Sequence, residues 1–566
     1  MRNRGLFAGL AVAVLFGWPM VSNRFFPAAN PPATQIVDGK SVPLPNPAAD
    51  PTADSAAAVR DRAVVLAETP RVLIESPRLR GSINQRGARI DDLVFTTYRE
   101  TIAKDSPPIR LLSPAGAPDA YFAGFGWSGE GVALPNAQTV WTASGARLTP
   151  TTPVTLTWAN PAGQRFAIRL SIDPNYMFTV EQSMTNAGGG AVSARPWSLV
   201  SRVGHSKDPS SWTNHVGPMG VFDGKANYSV DFKDLDEKAA GERFNTTGGW
   251  AGFTDKYWLT AVIPDQAAAV DAGFRGGPGG AYQADFTTAP AVVAPGATVR
   301  SVSRLFAGAK EVNLLDGYED SLGIARFGKA IDWGWFEIVE KPIFDILDWL
   351  FRTTGNFGIA IILLTCLVRG LMFPVAQKQF KSMAAMRVLQ PKMKALQERY
   401  KDDKAKLQQE MLALYQKEKV NPVAGCLPIL LQIPIFYALY KVLMLTIEMR
   451  HQPFALWIKD LSAPDPMTPV NLFGLLPFAP PSFIAIGVLP ILLGITMYLQ
   501  FKLNPAPADP VQQQVFSIMP WIFMFIMAPF AAGLQLYWTV SNLLTIAQQK
   551  FLYSRYPGMP AADAAK

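Results

Sequence analysis

Long apolar segments are concentrated between residues 330 and 550, and this distribution limits the folds open to the chain. Each segment approaches the length at which a helix crosses about 30 Å of hydrocarbon. Residues 30–325 are instead polar and rich in Gly and Pro, so the 566-residue chain is expected to hold at least two domains. The five apolar segments are Phe357–Phe373, Pro428–Leu445, Phe483–Phe501, Val515–Phe530 and Gly533–Ala547.

One arginine interrupts the first of these segments. Arg369 is the single charged residue in Phe357–Phe373, and a guanidinium stays charged in a protein. Placing it near the centre of a membrane helix costs roughly 2.5–3.5 kcal/mol, so such a residue usually faces a bundle interior or a wet cavity. Alternatively, its stem reaches the nearer interface, about 6 Å away at Phe373. The segment alone leaves both interpretations open.

The N-terminus combines two arginines in Met1–Arg4 with an apolar run, Gly5–Met20. A signal peptide and an uncleaved anchor both fit this pattern. We favour an N-terminal membrane anchor over residues 1–22, because Arg24–Pro27 makes a poor cleavage site. The Pro-, Ala- and Asp-rich composition that follows predicts a disordered linker over residues 23–60.

Residues 61–325 carry β signals and predict a large all-β sandwich domain. Val154–Trp158, Phe166–Ile172 and Phe178–Met184 alternate apolar and polar residues and are separated by turns that contain Pro. Trp127, Trp141, Trp158 and Trp212 are compatible with carbohydrate binding, although sandwich tryptophans more often pack in the core or along its edges.

Residues 331–352 predict an interfacial amphipathic helix before the first core span. Apolar residues recur there at helical spacing, from Phe336 to Leu350, with charges on the opposite face and tryptophans near both ends. A buried helix of a soluble domain would show a similar stripe.

Basic residues fix the predicted orientation. Residues 376–420 hold eleven Lys and Arg against five acids, whereas residues 446–482 hold two against three. The positive-inside rule therefore places the first loop in the cytoplasm and the second outside. Because each span takes the chain to the other side of the membrane, both termini are then cytoplasmic and residues 23–330 lie outside. After the anchor, the predicted spans are TM2 (357–375), TM3 (423–445), TM4 (483–503), TM5 (513–530) and TM6 (533–550), with a tail at 551–566.

The cytoplasmic loop, 376–420, is predicted to be a helical hairpin. Met386, Leu389, Met393, Leu396 and Tyr400 follow a 3,4 spacing, and a second stripe follows Asp402-Asp403. A solvated loop that only fixes topology is the alternative, but it would not need apolar seams.

The chain lacks the common signatures of catalysis. Its three histidines and two cysteines are scattered, so we expect no metal site, and no GxxxxGK[ST] phosphate loop occurs. We therefore expect neither an enzyme nor a bound cofactor.

Several stretches resemble the YidC membrane-protein insertases of Gram-negative bacteria. The resemblance is continuous from about Trp333 to Tyr553 and weaker in the β domain. It is carried by LLTCLVRGLMFPVAQKQFKSMAAMRVLQPKMKALQERYKDDKAKLQQEM, VNPVAGCLPILLQIPIFYALY, PFALWIKDLSAPDP and GLQLYWTVSNLLTIAQQ.

The resemblance implies a five-helix core around a hydrophilic groove, in which Arg369, Thr365 and Tyr537 contact substrate. Gln432 and Trp538 are our own candidates for lining that groove. This chain departs from many relatives in carrying Lys441 within the third span. Its tail also lacks a polybasic extension, which weakens the case for ribosome binding through the tail.

The expected function is that of an insertase and chaperone of the bacterial inner membrane, with a periplasmic β domain and no need for ATP hydrolysis. Its expected partners are nascent membrane-protein clients and the lipid bilayer, with the ribosome and the Sec translocon as further candidates, but not DNA. A secondary transporter is one alternative, although no internal repeat is visible. A membrane-anchored periplasmic sugar-active protein is the other.

Overall fold

The computed structural model describes most of the β-rich and helical regions. The described residues are 34–37, 40–43, 59–129, 132–208, 214–238, 240–400, 403–418, 427–473, 475–476, 478, 481, 485–503 and 510–555. The predicted anchor, 1–22, lies outside them.

Two strands stand within the segment that the sequence predicts to be a disordered linker. Residues 34–37 pair antiparallel with residues 40–43. Asp38 and Gly39 separate the two strands in the sequence, and Asp-Gly is a dipeptide that favours two-residue hairpins. The other residues of the linker up to position 58 are not described.

The described residues form 22 strands, of which all but the first two belong to the β domain. In chain order they are β1 Thr34–Val37, β2 Lys40–Pro43, β3 Arg71–Glu75, β4 Leu79–Asn84, β5 Arg89–Arg99, β6 Pro108–Leu112, β7 Tyr121–Ser128, β8 Thr142–Ala143, β9 Arg147–Leu148, β10 Val154–Ala159, β11 Gln164–Ile172, β12 Met177–Asn186, β13 Val192–Val203, β14 Gly217–Phe222, β15 Lys225–Asn227, β16 Glu242–Thr247, β17 Trp250–Thr254, β18 Trp258–Ile263, β19 Ala269–Gly277, β20 Ala281–Thr288, β21 Ala291–Val293 and β22 Thr298–Ala309.

Two large sheets build the β domain, which confirms the predicted sandwich. The first has the order β15-β14-β17-β18-β22-β12-β11-β10-β8, and the second β16-β19-β20-β13-β7-β5-β4-β3-β9. Burial along β11 alternates residue by residue, as one solvated and one packed face require. The same period predicts this strand from its sequence.

The structure describes three of the four tryptophans that are compatible with carbohydrate binding, and these three pack against other aromatic rings. Trp127 and Trp141 are buried and stack with ring centroids 6.2 Å apart, so both belong to the core. Trp158 is half-buried and packs on Phe166 at 5.6 Å. Trp212 lies outside the described residues.

Eleven helices occur in the described residues, three of them in or directly after the β domain. They are α1 Arg62–Ala67, α2 Phe232–Glu237, α3 Val312–Leu322, α4 Glu337–Thr354, α5 Phe357–Leu371, α6 Phe373–Arg399, α7 Lys404–Lys417, α8 Leu427–Leu445, α9 Val488–Leu503, α10 Pro510–Met527 and α11 Ala532–Arg555.

Helix α4 joins the β domain to the later helices. Its buried face carries Ile343, Phe344 and Leu347, while Ile338 is 83% exposed and Trp335, just before the helix, is 78% exposed. The helix ends at Thr354 and is capped by Gly355, whose φ of 68° lies in the left-handed region.

Polar contacts tie α4 to α3. Lys341 Nζ lies 2.9 Å from Asp316 Oδ1, and Asn313 Nδ2 donates to Asp348 Oδ2 at 3.0 Å. The β domain and the helical region are therefore packed together through α3 rather than joined by a free linker.

Helices α6 and α7 occupy most of the predicted hairpin and contact each other. Lys392 Nζ lies 2.7 Å from Glu418 Oε1, and the Tyr415 hydroxyl lies 3.7 Å from Met393 Sδ. Helix α6 begins at Phe373, immediately after α5, and continues through Pro391.

Within the described ranges, the helices fall short of the length or the apolar character that crossing a membrane requires. The six predicted spans therefore stay a prediction.

Candidate functional site: a polar cluster around Arg369

The start of α5 is fixed from two sides, which sets the position of Arg369. The Asn356 side chain accepts from Ile359 N at 3.1 Å and donates to Phe454 O at 2.8 Å. Gly358 lies so close to Phe454 that a Cβ there would be 2.0 Å from the ring. Arg369 then lies in the last turn of this helix.

Arg369 points to α11. Its Nε and Nη2 atoms both donate to Ser541 Oγ, at 3.1 and 2.6 Å. One hydroxyl thus receives two of the five N–H groups of the guanidinium. The side chain therefore lies against another helix instead of extending along its own, which supports the first interpretation of the sequence over the second.

Tyr537 and Gln432 extend the cluster to α8. Gln432 Nε2 donates to the Tyr537 hydroxyl at 2.9 Å, and Tyr537 is only 3% exposed. Tyr537 precedes Ser541 by four residues, so both lie on one face of α11. Three helices therefore contribute polar atoms to one site.

Thr365 and Trp538 occupy different surroundings. The Thr365 hydroxyl is buried and donates to Ile361 O at 2.6 Å, within its own helix. Trp538 packs between the rings of Phe436 and Phe523, at 4.2 and 4.5 Å. Of the five candidate residues, the structure brings Arg369, Gln432 and Tyr537 together, but not these two.

Arg369 has no carboxylate partner among the residues that the structure describes. Its neighbours are neutral hydroxyl and amide groups, and its side chain is half-buried. A partly desolvated cation without a counter-ion attracts acidic groups more strongly than one in open water. The cluster can therefore hold an anionic group transiently.

Sequence reasoning missed Ser541 and a larger row of buried polar residues on α11. The Asn542 side chain donates to Thr496 Oγ1 on α9 at 3.2 Å, so the row also joins α11 to that helix. A spacing of three and four residues in the closing span could have revealed it. The buried polar residues of α11 are Gln535, Thr539, Ser541, Asn542, Thr545 and Gln549.

Lys441, the unusual cation of the third predicted span, lies away from this cluster. It is 3% exposed and lies near Gly334, where a Cβ would be 2.9 Å from its Nζ atom. Burial raises the pKa of the nearby Glu340 carboxyl to about 7, and the positive charge of Lys441 opposes that shift. Lys441 therefore has acidic neighbours in α4 and the segment before it.

Two family models match consecutive parts of the chain. Residues 71–346 match the YidC periplasmic domain, and residues 349–559 match the 60Kd inner membrane protein. A protein of Zymomonas mobilis named membrane protein insertase YidC is 52% identical over 98% of this chain and 95% of its own length. The chain belongs to the YidC family.

A second relative agrees with that membership. The membrane protein insertase YidC of Methylobacterium nodulans is 46% identical over 98% of this chain and 95% of its own length. A solved structure described as an active YidC insertase is 18% identical, covers 95% of this chain and 98% of its own, and has a TM-score of 0.37. The predicted family is confirmed, and neither the transporter nor the sugar-active alternative is favoured.

Proposed function

We propose that this chain inserts membrane proteins into the bacterial inner membrane, with the polar cluster around Arg369 as the contact for the client's polar flank. The observation that carries the proposal is the half-buried guanidinium that two hydrogen bonds hold to Ser541, without a carboxylate neighbour among the described residues. Family membership supports insertion as the activity.

Energetics explain why no nucleotide is needed. A client helix of about 20 apolar residues gains roughly 0.3–0.6 kcal/mol per residue on insertion, so equilibrium favours the inserted state. The barrier comes from the polar flank, whose charged groups each cost a few kcal/mol in hydrocarbon. A fixed cation in a wet site lowers that barrier for acidic residues, and the membrane potential adds about 2.3 kcal/mol per charge per 100 mV.

The topology that we propose has six spans, with both termini in the cytoplasm and residues 23–330 in the periplasm. The anchor is 1–22, the core spans are TM2 to TM6, and the hairpin 376–420 faces the cytoplasm. The charge difference between the hairpin and residues 446–482 supports this orientation.

Nascent clients and lipid are the proposed partners, with the ribosome and the Sec translocon as further candidates. Eleven cations in residues 376–420 would attract either anionic lipid or RNA without sequence preference. We assign no cofactor and no catalytic residue.

Photocrosslinking tests the proposed contact site. A crosslinking residue placed at Gln432 should capture a single-span client with an acidic leading tail during its insertion. The same residue at Phe516, an exposed position on α10, serves as the matched control. Equal capture from both positions would contradict a client contact at the polar cluster.

A further inference from the structure

A cavity of about 430 Å³ lies at the base of the β domain, apart from the Arg369 cluster. The turn between β14 and β15 forms one wall, and the segment between α3 and α4 forms the other. Its lining residues are Gly224, Lys225, Ala226, Tyr228, Arg326, Lys329, Asp332 and Gly334.

Three of the lining side chains are cations, and two of them remain available. Lys329 pairs with Glu337, so its charge is offset. Lys225 and Arg326 are exposed and have no carboxylate partner among the described residues.

The one lining acid is engaged elsewhere. Asp332 Oδ2 accepts from His215 N at 3.1 Å, and the negative charge of Asp332 lies close enough to Lys441 to attract its ammonium group. The cavity therefore presents two cations to a ligand, with its acid turned to other partners.

Arg326 is held in an uncommon backbone conformation. Its φ of 48° and ψ of 44° place it in the left-handed region, which glycine normally occupies. The residues around it fix this geometry, because Trp250 Nε1 donates to Ala325 O at 3.2 Å and Lys329 N donates to Arg326 O at 3.0 Å. Non-glycine residues in this region often mark ligand sites.

The cavity opens beside a surface suited to the membrane interface. Gly334 lines it, and the next residue, Trp335, is 78% exposed, followed by Ile338 at 83%. Exposed tryptophan and aliphatic side chains at the start of an amphipathic helix are typical of elements that lie among lipid headgroups.

We propose that this cavity binds the phosphate of an acidic phospholipid headgroup in the periplasmic leaflet, with Lys225 and Arg326 as its ligands and Trp335 beside the acyl chains. The inference rests on the membrane orientation in the proposed function. An acidic headgroup is favoured over a zwitterionic one because the ammonium of the latter would meet the same two cations. Arginine and lysine are the usual partners of phosphate.

Native mass spectrometry of the full chain in detergent tests this site. After delipidation, phosphatidylglycerol or phosphatidylcholine is added, and the number of retained lipids is counted. The wild type should retain at least one phosphatidylglycerol more than Lys225→Gln/Arg326→Gln, with no such difference for phosphatidylcholine. The control, Lys104→Gln/Arg300→Gln, removes the same two charges from exposed positions of the β domain and should match the wild type.

Arg326→Gly provides a second variant that should fold at least as well, because glycine adopts the left-handed conformation freely. It should lower phosphatidylglycerol retention by at least threefold. Equal retention by the wild type and both variants would overturn the proposal.

Competition with inorganic phosphate shows whether the cavity binds the phosphate of a lipid headgroup or a free phosphate ion. Millimolar phosphate should compete poorly with phosphatidylglycerol for the cavity. Trp335→Ala should weaken the retention of phosphatidylglycerol but not the binding of inorganic phosphate. Displacement of the lipid by phosphate at equal concentration would assign the site to a free anion instead. Arg369→Ala should keep the bound lipid, so a failure of this site is distinguishable from a failure of the proposed client contact.

Discussion

At the residue scale, neutral groups hold the Arg369 side chain in place. Two of its nitrogens share the Ser541 hydroxyl, a neutral acceptor, and its backbone carbonyl accepts from Gln548 Nε2 at 3.5 Å. Neutral neighbours orient the guanidinium without neutralising it. The positive charge therefore remains available to an acidic group that enters from outside.

Charge rather than bidentate geometry should carry the role of Arg369. We expect Arg369→Lys to retain at least half of the insertion of single-span clients with acidic tails, whereas Arg369→Ala should lose about tenfold or more, since removing the charge restores a barrier of a few kcal/mol. Protease protection of the client in cells depleted of the native protein measures both. Equal losses in the two variants would show that the guanidinium itself is required.

Glu448 should make stability depend on pH. Its Oε1 atom accepts from Val312 N at 3.0 Å, and burial raises the pKa of this carboxyl to about 7. Because the pKa of Glu448 is higher in the folded chain than in the unfolded chain, its protonated carboxyl stabilises the fold fully below pH 4.5. This stabilisation is lost as the pH rises through about 7. Glu448→Gln should therefore be more stable than the wild type at pH 8, by on the order of 3 kcal/mol.

Thermal unfolding of the full chain in detergent between pH 4.5 and 8 checks this expectation. Glu242→Gln, at an exposed position, is the matched control and should leave the pH profile unchanged. A Glu448→Gln profile parallel to that of the wild type would contradict the assignment.

At the element scale, one glutamine fixes the turn between α10 and α11. The Gln535 side chain is buried and donates to Met527 O at 2.9 Å and to Phe530 O at 2.8 Å, with Ala528 O at 3.3 Å. Met527 ends α10 and its carbonyl also accepts from Phe530 N at 3.0 Å, whereas the carbonyls of Ala528 and Phe530 lie in the turn beyond the helix. The short connection that the sequence predicts between the last two apolar segments is thus stabilised from within α11.

Gln535→Met should therefore destabilise the chain although its volume changes little. Carbonyl groups left without a donor in a buried turn should cost about 1–3 kcal/mol. A lower thermal midpoint in detergent would show the effect, and Gln513→Met, at an exposed position on α10, provides the comparison. Equal midpoints for both variants would mean that the turn does not depend on this side chain.

The hairpin of α6 and α7 is expected to do more than set topology. Deleting residues 384–417 should leave the chain in the membrane but reduce client insertion to the level of Arg369→Ala. Membrane fractionation and client protection measure the two effects separately. Full activity after the deletion would return the hairpin to a role in topology alone.

Periodicity predicts regular elements well here, but not how they contact each other. The alternation in β11 and the stripe that contains Leu389 and Met393 are readable from sequence, because each follows one structural period. The meeting of Arg369 with Ser541 joins residues 172 positions apart, and no local pattern encodes such a pair. Sequence reasoning therefore identified the cation but not its acceptor.

At the scale of the whole molecule, the β domain and the helical region are connected through several polar contacts. Lys341 meets Asp316, and the Arg450 guanidinium donates to Arg99 O at 2.9 Å across 351 positions of the chain. These contacts hold the base of the β domain against α4 and the loop after α8. The same junction contains the cationic cavity, so lipid binding there would act where the two regions meet.

Insertion by the purified chain alone shows whether the charge of Arg369 drives the activity. A small single-span client with an acidic tail is added to liposomes that contain only this protein, without nucleotide, and its protease protection is measured. We expect protection with the wild type and its loss with Arg369→Ala. Absence of protection with folded wild-type protein, or equal protection with both, would contradict an insertase that works through the charge of Arg369.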